Sequence, residues 1–152
     1  TWAVDIATLY RTGVRSLRLS MIGRNFGPDA ELGEYNDQIG IVPVKIHMPM
    51  TFLFGVAYDL LEGLNGSPHR WTIAAEFVHP NDGPEKIHVG TEYSFMRFAV
   101  LRAGYRYNYD EQGLTVGGAL NLTTATFRVS LGYAYMDFGR LGSVNMFTLG
   151  IN

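Results

Sequence analysis

Bulky apolar residues alternate with small or polar residues through nearly every hydrophobic run of the chain. In one run Tyr105, Tyr107 and Tyr109 alternate with Arg106 and Asn108. Successive side chains of a strand point to opposite faces of a sheet, so each run predicts a β-strand with one apolar face and one polar face. Turn signals separate about nine such runs, which predicts an antiparallel meander. No run approaches the roughly 18 apolar residues of a transmembrane helix.

The predicted strands are interrupted by one long polar segment and by a few apolar residues on the polar parity. We expect strands near 2–10, 17–24, 52–59, 70–77, 87–95, 101–109, 114–122, 127–135 and 147–151. The segment from Phe26 to Pro49 contains Gly27, Pro28 and several acidic residues, and it is predicted to be a loop. Five apolar residues break the alternation: Leu9, Ile22, Leu53, Val78 and Val100.

Aromatic residues on the apolar parity gather near the strand ends, whereas aliphatic residues fill the middle. Amphipathic rings favour the membrane–water interface and aliphatic chains the hydrocarbon, so this pattern predicts the two aromatic girdles of an outer-membrane barrel. Turns after Tyr10, Phe95 and Leu122 are short and the opposite end carries the long loop, as in such barrels. The predicted interface aromatics are Trp2, Tyr10, Phe52, Tyr58, Trp71, Phe77, Tyr93, Phe95, Tyr107, Tyr109, Phe127, Tyr135 and Phe147.

The polar parity carries charged residues that are predicted to face a barrel lumen. Only Lys45 and Lys86 among the 12 basic residues are lysines, and the planar arginine fork suits confined polar spaces. These side chains are expected to form cross-strand ion pairs, and lining a conduit is the alternative role. The predicted lumen-facing residues are Asp5, Arg18, Arg24, Asp59, Glu76, Glu92, Arg102, Arg106 and Arg128.

A soluble lipocalin-like ligand-binding barrel also alternates and has a similar length, but its large apolar residues point inward. Its outer face would carry lysine, glutamate and glutamine, whereas here Gly, Ala, Ser and Arg dominate the polar parity. Charged residues make up only 17% of the chain and hydrophobic residues 47%. The membrane barrel is therefore preferred, with the lipocalin-like barrel as an alternative.

An ordered set of segments resembles a known family. The segments are Leu17–Leu19, Arg24–Pro28, Val56–Leu61, Val78–Asp82, Gly90–Tyr93, Leu101–Arg106 and Asp137–Gly142. In this order and spacing they are similar to the C-terminal half of PorV/PorQ-family outer-membrane proteins, which are related to FadL-type transporters. The resemblance runs from about Trp2 to Ile151. The family's N-terminal half, with its Asn-Pro-Ala-Gly segment, has no counterpart in the sequence.

The resemblance implies a fourteen-stranded barrel in the outer membrane of a Gram-negative-type bacterium. Residues 1–152 would form the C-terminal portion of one transmembrane β-barrel domain, with its N-terminal strands outside the sequence. The implied role is a docking or shuttle component of type IX secretion, a form of protein transport without catalysis. Partners would be outer-membrane lipid and other secretion-machinery or membrane proteins. A FadL-like transporter of hydrophobic compounds is the alternative.

Candidate chemistry in the sequence is weak, so we predict no enzyme, no catalytic residue, no metal and no cofactor. The chain has no cysteine and no nucleophile motif, and its net charge of −2 does not favour nucleic acid. Two acidic or histidine-containing groups lack the ordered spacing of metal ligands and are better explained as loop residues. They are His79, Asp82, Glu85 and His88, and Asp29, Glu31, Glu34 and Asp37.

Overall fold

The computed structural model describes residues 2–33, 44–62, 68–96, 98–123 and 127–151, with the backbone alone at Leu32 and Glu62. Within these ranges the chain is all-β, with one short 3₁₀ turn at Gly139–Leu141. No helix of the described part has the length and hydropathy needed to cross a membrane. The strands are β1 Val4–Arg11, β2 Arg18–Phe26, β3 Ala30–Leu32, β4 Val44–Ile46, β5 Thr51–Glu62, β6 His69–Pro80, β7 Lys86–Phe95, β8 Ala99–Tyr107, β9 Leu114–Thr123, β10 Arg128–Asp137 and β11 Ser143–Ile151.

Nine of these strands form one antiparallel sheet in the order β1-β2-β5-β6-β7-β8-β9-β10-β11. This confirms the all-β antiparallel meander that the alternation predicts. The sheet is open, and β1 and β11 are its edges. Each inner strand pairs with the strands that precede and follow it in this sheet, and all but one of the connections between them are short.

The segment predicted as a loop between Phe26 and Pro49 contains a hairpin, so that prediction was wrong in part. β3 and β4 pair with each other outside the main sheet, with Ala30 opposite Ile46 and Glu31 opposite Lys45. The β-branched residues Val44 and Ile46 favour a strand, although acidic and glycine residues dominate the surrounding composition. Residues 34–43, which include Glu34 and Asp37, lie outside the described residues.

Because the strands alternate in direction, the connections fall at two opposite ends of the sheet. The end that we call the turn rim carries the connections 12–17, 63–68, 96–98 and 124–127. The other end, the loop rim, carries the connections 27–50, 81–85, 108–113 and 138–142. The longest connection, with the β3–β4 hairpin, therefore lies at the loop rim.

The register places the predicted bulky and polar parities on two separate faces. On one face, which we call the apolar face, Tyr93, Leu101, Gly118, Tyr133 and Phe147 lie opposite one another in turn. The polar face carries the other parity, including the five apolar exceptions. Ile22, Leu53 and Val78 form one row on it.

Residues of the polar face are more buried than those of the apolar face. The buried residues of the strands, Leu53, Gly55, Asp59, Val78, Ser94 and Val100, all lie on the polar face. Leu101, Leu131 and Phe147 on the apolar face are 64%, 48% and 79% exposed. No second layer covers either face in the described part, so this difference arises from curvature, which crowds side chains on the concave side. The polar face is therefore concave and the apolar face convex.

Three irregularities change the simple alternation. One is a register shift between Val4 and Ile6 of β1, which lie opposite Phe26 and Gly23 of β2. A bulge between Asp59 and Leu61 admits Leu60 as an extra residue, after which Leu61 pairs with Trp71 on the apolar face. At the end of β8, Asn108 has φ 64 and reverses the local backbone. Tyr109 was predicted on the apolar face with Tyr105 and Tyr107, but its side chain lies against His88 on the polar face.

Candidate functional site: the concave polar face

A row of polar residues crosses four strands of the concave face. Asp59 of β5 lies opposite Thr72 of β6, Thr72 opposite Glu92 of β7, and Glu92 opposite Arg102 of β8. Cross-strand neighbours on one face approach closely enough for their side chains to interact. We call this row, together with Arg18 and Arg70, the arginine–carboxylate network.

Asp59 is the most buried charged side chain of the arginine–carboxylate network, at 7% exposure. Its Oδ1 accepts hydrogen bonds from Arg18 Nη2 and Thr72 Oγ1, each at 2.6 Å. Its backbone N–H donates to Ser16 Oγ at 2.8 Å, and Ser16 Oγ donates to the Asp59 carbonyl at 3.2 Å. These bonds hold the turn between β1 and β2 against the end of β5.

Glu92 occupies the centre of the arginine–carboxylate network between two guanidinium groups. Its Oε1 accepts from Arg70 Nη2 at 3.2 Å and its Oε2 accepts from Arg102 Nε at 2.8 Å. The Glu92 side chain is 28% exposed, and the two arginines are more than half exposed. Each carboxylate oxygen therefore holds one arginine over the concave face.

A second polar row lies nearer the loop rim. His88 of β7 stands between Glu76 of β6 and Tyr109: Nδ1 is 2.9 Å from Glu76 Oε1, and Nε2 is 2.7 Å from Tyr109 Oη. The ring can donate from Nδ1 to the carboxylate and form a hydrogen bond with the tyrosine hydroxyl through Nε2, so both ring nitrogens have partners. Lys86 Nζ lies 4.6 Å from the centre of the Tyr109 ring. The row thus fixes the start of the 108–113 connection to the sheet.

The arginine–carboxylate network borders a groove of about 540 Å³ on the concave face. Arg18, Arg70, Glu92 and Arg102 stand along it. Its floor includes residues with little or no side chain on five strands, namely Ala74, Gly90, Gly104, Gly117 and Ala134. Sequence reasoning did not single out this floor, although the repeated Gly and Ala on the polar parity of β6 to β10 are its signal.

The predicted lumen-facing residues divide into two groups. Six of them lie on the polar face, within the two polar rows or beside them: Arg18, Asp59, Glu76, Glu92, Arg102 and Arg106. The Nη1 of Arg106 donates to Gln112 Oε1 at 2.5 Å. Asp5, Arg24 and Arg128 lie nearer the rims. Asp5 Oδ1 accepts the backbone N–H of Asn25 at 2.9 Å, which ties β1 to the end of β2.

Most of the predicted interface aromatics lie toward strand ends on the apolar face. Tyr10, Trp71 and Phe95 mark the turn rim, and Phe52 and Tyr107 mark the loop rim. Phe147 is the fifth residue of β11 and so lies at mid-strand. The remaining members of the set are placed as follows: Tyr58, Tyr93 and Phe127 toward the turn rim, Phe77 and Tyr135 toward the loop rim, Trp2 before β1, and Tyr109 on the polar face.

The residues weighed as metal ligands make pairwise contacts instead of converging. His79 Nδ1 lies 3.4 Å from Glu85 Oε1, and His47 Nδ1 lies 2.9 Å from Asp29 Oδ2. Lys45 Nζ lies 3.6 Å from Glu31 Oε1. Among the described residues no group of three or more candidate ligands comes together.

The loop rim is held together by contacts between successive connections. Asn81 Nδ2 donates to the Met48 carbonyl at 3.0 Å, and Asn108 Nδ2 donates to the Glu85 carbonyl at 2.6 Å. Arg140 donates through both its backbone N–H, at 2.9 Å, and its Nε, at 2.8 Å, to the Glu111 carboxylate. The described parts of the four connections are therefore linked to one another.

Compared with known proteins, the chain matches no protein-family model, no curated protein and no solved structure.

Proposed function

We propose that the nine-stranded sheet is part of a transmembrane β-barrel of a bacterial outer membrane. The observation that carries this proposal is the burial of strand residues on the polar face, from which we infer that this face is concave. Bulky apolar and aromatic residues cover the convex face, and charged and small residues cover the concave face. A membrane barrel has this arrangement, whereas a lipocalin-like barrel has its large apolar residues inside.

The strand directions set a condition on how such a barrel closes. In an antiparallel order of nine strands, β1 and β11 run in the same direction. Direct pairing of these two edges would be parallel, so antiparallel closure requires an odd number of further strands. Five further strands would give 9 + 5 = 14, the even number that the family resemblance implies. Closure also satisfies the edge N–H and C=O groups, which hydrocarbon cannot hydrogen-bond.

Within that barrel, we propose a docking or shuttle role in type IX secretion, without catalysis. Support comes from the PorV/PorQ-like segments and from the loop rim, where neighbouring connections hold one another in place. A rigid scaffold that presents long polar loops suits protein recognition. The connection of residues 27–50 is the longest, and Asn25 and Asn81 anchor its end through Pro49 and Met48.

The alternative is a FadL-like transporter of hydrophobic compounds, and the groove on the concave face is the observation that favours it. However, Arg18, Arg70 and Arg102 border the groove, and charged walls solvate an apolar tail poorly. Docking is therefore preferred.

The experiment uses the full-length protein, with residues 30–46 replaced by a short Gly-Ser linker. Under the docking role, this variant stays folded in the outer-membrane fraction but no longer co-purifies with secretion components. The matched control is Arg102→Ala, which alters the groove and leaves the loop rim intact. Retained partner binding in the loop variant, with loss of hydrophobic-compound uptake in Arg102→Ala, would instead support transport.

A further inference from the structure

Basic side chains outnumber acidic ones on the concave face, although residues 1–152 have a net charge of −2. The basic residues that the register places on this face are Arg11, Arg18, Arg24, Arg70, Lys86, Arg102, Arg106 and Arg128. The acidic side chains described on it are those of Asp59, Glu76 and Glu92, with Asp5 near the loop rim. The described part of this face therefore has an excess of positive charge and should attract anions.

Arg70 and Arg102 share a single carboxylate. Among the described residues Glu92 is the one hydrogen-bond partner of either guanidinium group, through Oε1 for Arg70 and Oε2 for Arg102. A carboxylate has about four acceptor sites, whereas two guanidinium groups present about ten N–H donors. Most of these donors therefore stay available to a ligand, and both arginine side chains are more than half exposed.

Arg18, the third arginine of the groove, has a carboxylate of its own. Asp59 Oδ1 accepts from its Nη2 at 2.6 Å, so the charges of this pair largely offset each other. Glu92, by contrast, can offset only one of the two arginines that it holds. The uncompensated positive charge of the groove therefore comes from Arg70 and Arg102.

Little side-chain bulk stands beside these two arginines. Gly117 of β9 lies directly opposite Arg102, and Ala134 of β10 lies opposite Gly117. In the next row toward the loop rim, Gly90 and Gly104 form a pair. The guanidinium groups therefore border open space, and the groove volume of about 540 Å³ lies in the range of small-molecule sites.

The chemistry of this arrangement favours a ligand with more than one anionic group. A guanidinium fork matches the oxygens of a carboxylate or a phosphate. Two such forks bound to the two oxygens of Glu92 are neighbours, so a single ligand can contact both. A long apolar chain would instead lie against charged groups, which is unfavourable.

We propose that the groove binds a small polyanion, with two or more carboxylate or phosphate groups and no long apolar chain, through Arg70 and Arg102. Glu92 is the positioning residue that holds both arginines over the groove. This binding site goes beyond the docking role and does not depend on it.

The test is isothermal titration calorimetry on the full-length protein in non-ionic detergent at about 0.1 M salt. The probes are tricarballylate, pyrophosphate and the uncharged polyol erythritol. At least one polyanion should bind and erythritol should not, and the tighter polyanion tells whether the site prefers carboxylates or phosphates. Binding should weaken in 0.5 M salt, because the arginines are exposed and salt screens them.

Substitutions locate the binding within the groove. Arg70→Gln and Arg102→Gln should each weaken binding by about tenfold or more, the effect of a lost charge-assisted hydrogen bond. Arg102→Lys keeps the charge but loses the planar fork, so its affinity should be intermediate. Arg128→Gln is the matched control, because it removes one positive charge from the same face outside the groove. It should change the affinity by less than about twofold.

Each outcome supports or overturns the proposal. Circular dichroism of every variant checks that lost binding is not lost folding. If neither polyanion binds, or if erythritol binds as tightly as both of them, the proposal is overturned. Wild-type affinity in the Arg70→Gln, Arg102→Gln double variant overturns it too. A loss in Arg128→Gln as large as that in Arg102→Gln would show general attraction to a positive face, and the groove site would be wrong.

Discussion

Arg18 Nη2 lies 2.6 Å from Asp59 Oδ1, and this contact joins β2 to the far end of β5 on the concave face. Arg18 is 32% exposed at its side chain and Asp59 only 7%, so the carboxylate depends on protein partners for its hydrogen bonds. Glu92, by contrast, is 28% exposed and shares two arginines. The two carboxylates should therefore differ in their contribution to stability.

A double-mutant cycle between Arg18→Gln and Asp59→Asn should give a coupling free energy of about 1–3 kcal/mol, because these side chains share a largely desolvated contact. The same cycle between Arg102→Gln and Glu92→Gln should give less than about 1 kcal/mol, because solvent screens the more exposed pair. Urea unfolding of the full-length protein in lipid vesicles measures both. Equal coupling free energies in the two cycles would contradict the claim that the buried pair contributes more to stability than the exposed pair.

Two directly paired glycines of the concave face should respond differently to alanine. A Cβ on Gly104 would lie 2.9 Å from Thr115 Oγ1 and 3.3 Å from the Val89 carbonyl, whereas one on Gly90 would approach nothing closer than 3.6 Å. We expect Gly104→Ala to lower the free energy of unfolding by about 1 kcal/mol through overpacking. Gly90→Ala should be neutral or slightly stabilising, because it restricts the unfolded chain. The reverse order in urea titrations would show that the strands lie further apart than described.

Asn81 should control the order of the 27–50 connection. Its side chain donates to the Met48 carbonyl, so Asn81→Ala removes an anchor of the segment that carries the β3–β4 hairpin. Limited proteolysis should cut this connection several times faster in Asn81→Ala, because local opening becomes easier. Asp82→Ala, at the neighbouring exposed position, is the control and should leave the cleavage rate unchanged. Equal cleavage in both variants would show that the anchor is dispensable.

The two faces of β10 should differ in their tolerance of polar groups. Leu131→Arg places a charge on the convex face, and in a barrel near mid-bilayer this costs about 2–4 kcal/mol. Gly132→Ser is its neighbour on the concave face, where the atom nearest to a Cβ is Thr148 Cβ at 3.6 Å, so its cost should be small. Refolding titrations in lipid measure both. Comparable losses would contradict the assignment of the faces.

The sequence was sufficient to predict the antiparallel strands and the two faces, because period-two alternation is a local property of each strand. It was insufficient at three places. The φ of 64 at Asn108 reverses the parity of Tyr109. Glu31 pairs with Lys45, 14 residues further along the chain, and the local sequence around either residue does not specify its partner. The partners of Asp59 depend on a register that joins residues 41 positions apart.

The apolar exceptions Leu53, Val78 and Val100 illustrate the same limit. The alternation pattern predicts polar residues at these three positions, yet the apolar residues found there are among the most buried of the strands. Curvature of the whole sheet buries them, and no local pattern encodes that curvature. The groove likewise arises from small residues on five different strands.

The most direct test of the account is a cysteine scan of β10 in lipid, on a background without other cysteines; residues 1–152 contain none. A fluorophore is attached singly at positions 129–136 of the full-length protein and is quenched either by nitroxide-labelled lipid or by a water-soluble quencher. The account predicts that quenching alternates with a period of two residues. Nitroxide-labelled lipid should quench a fluorophore at position 129, 131, 133 or 135, and the aqueous quencher should quench one at position 130, 132, 134 or 136. Uniform quenching along β10 would contradict the account. So would the absence of lipid quenching at every position, with the aqueous quencher reaching only the residues of the polar face.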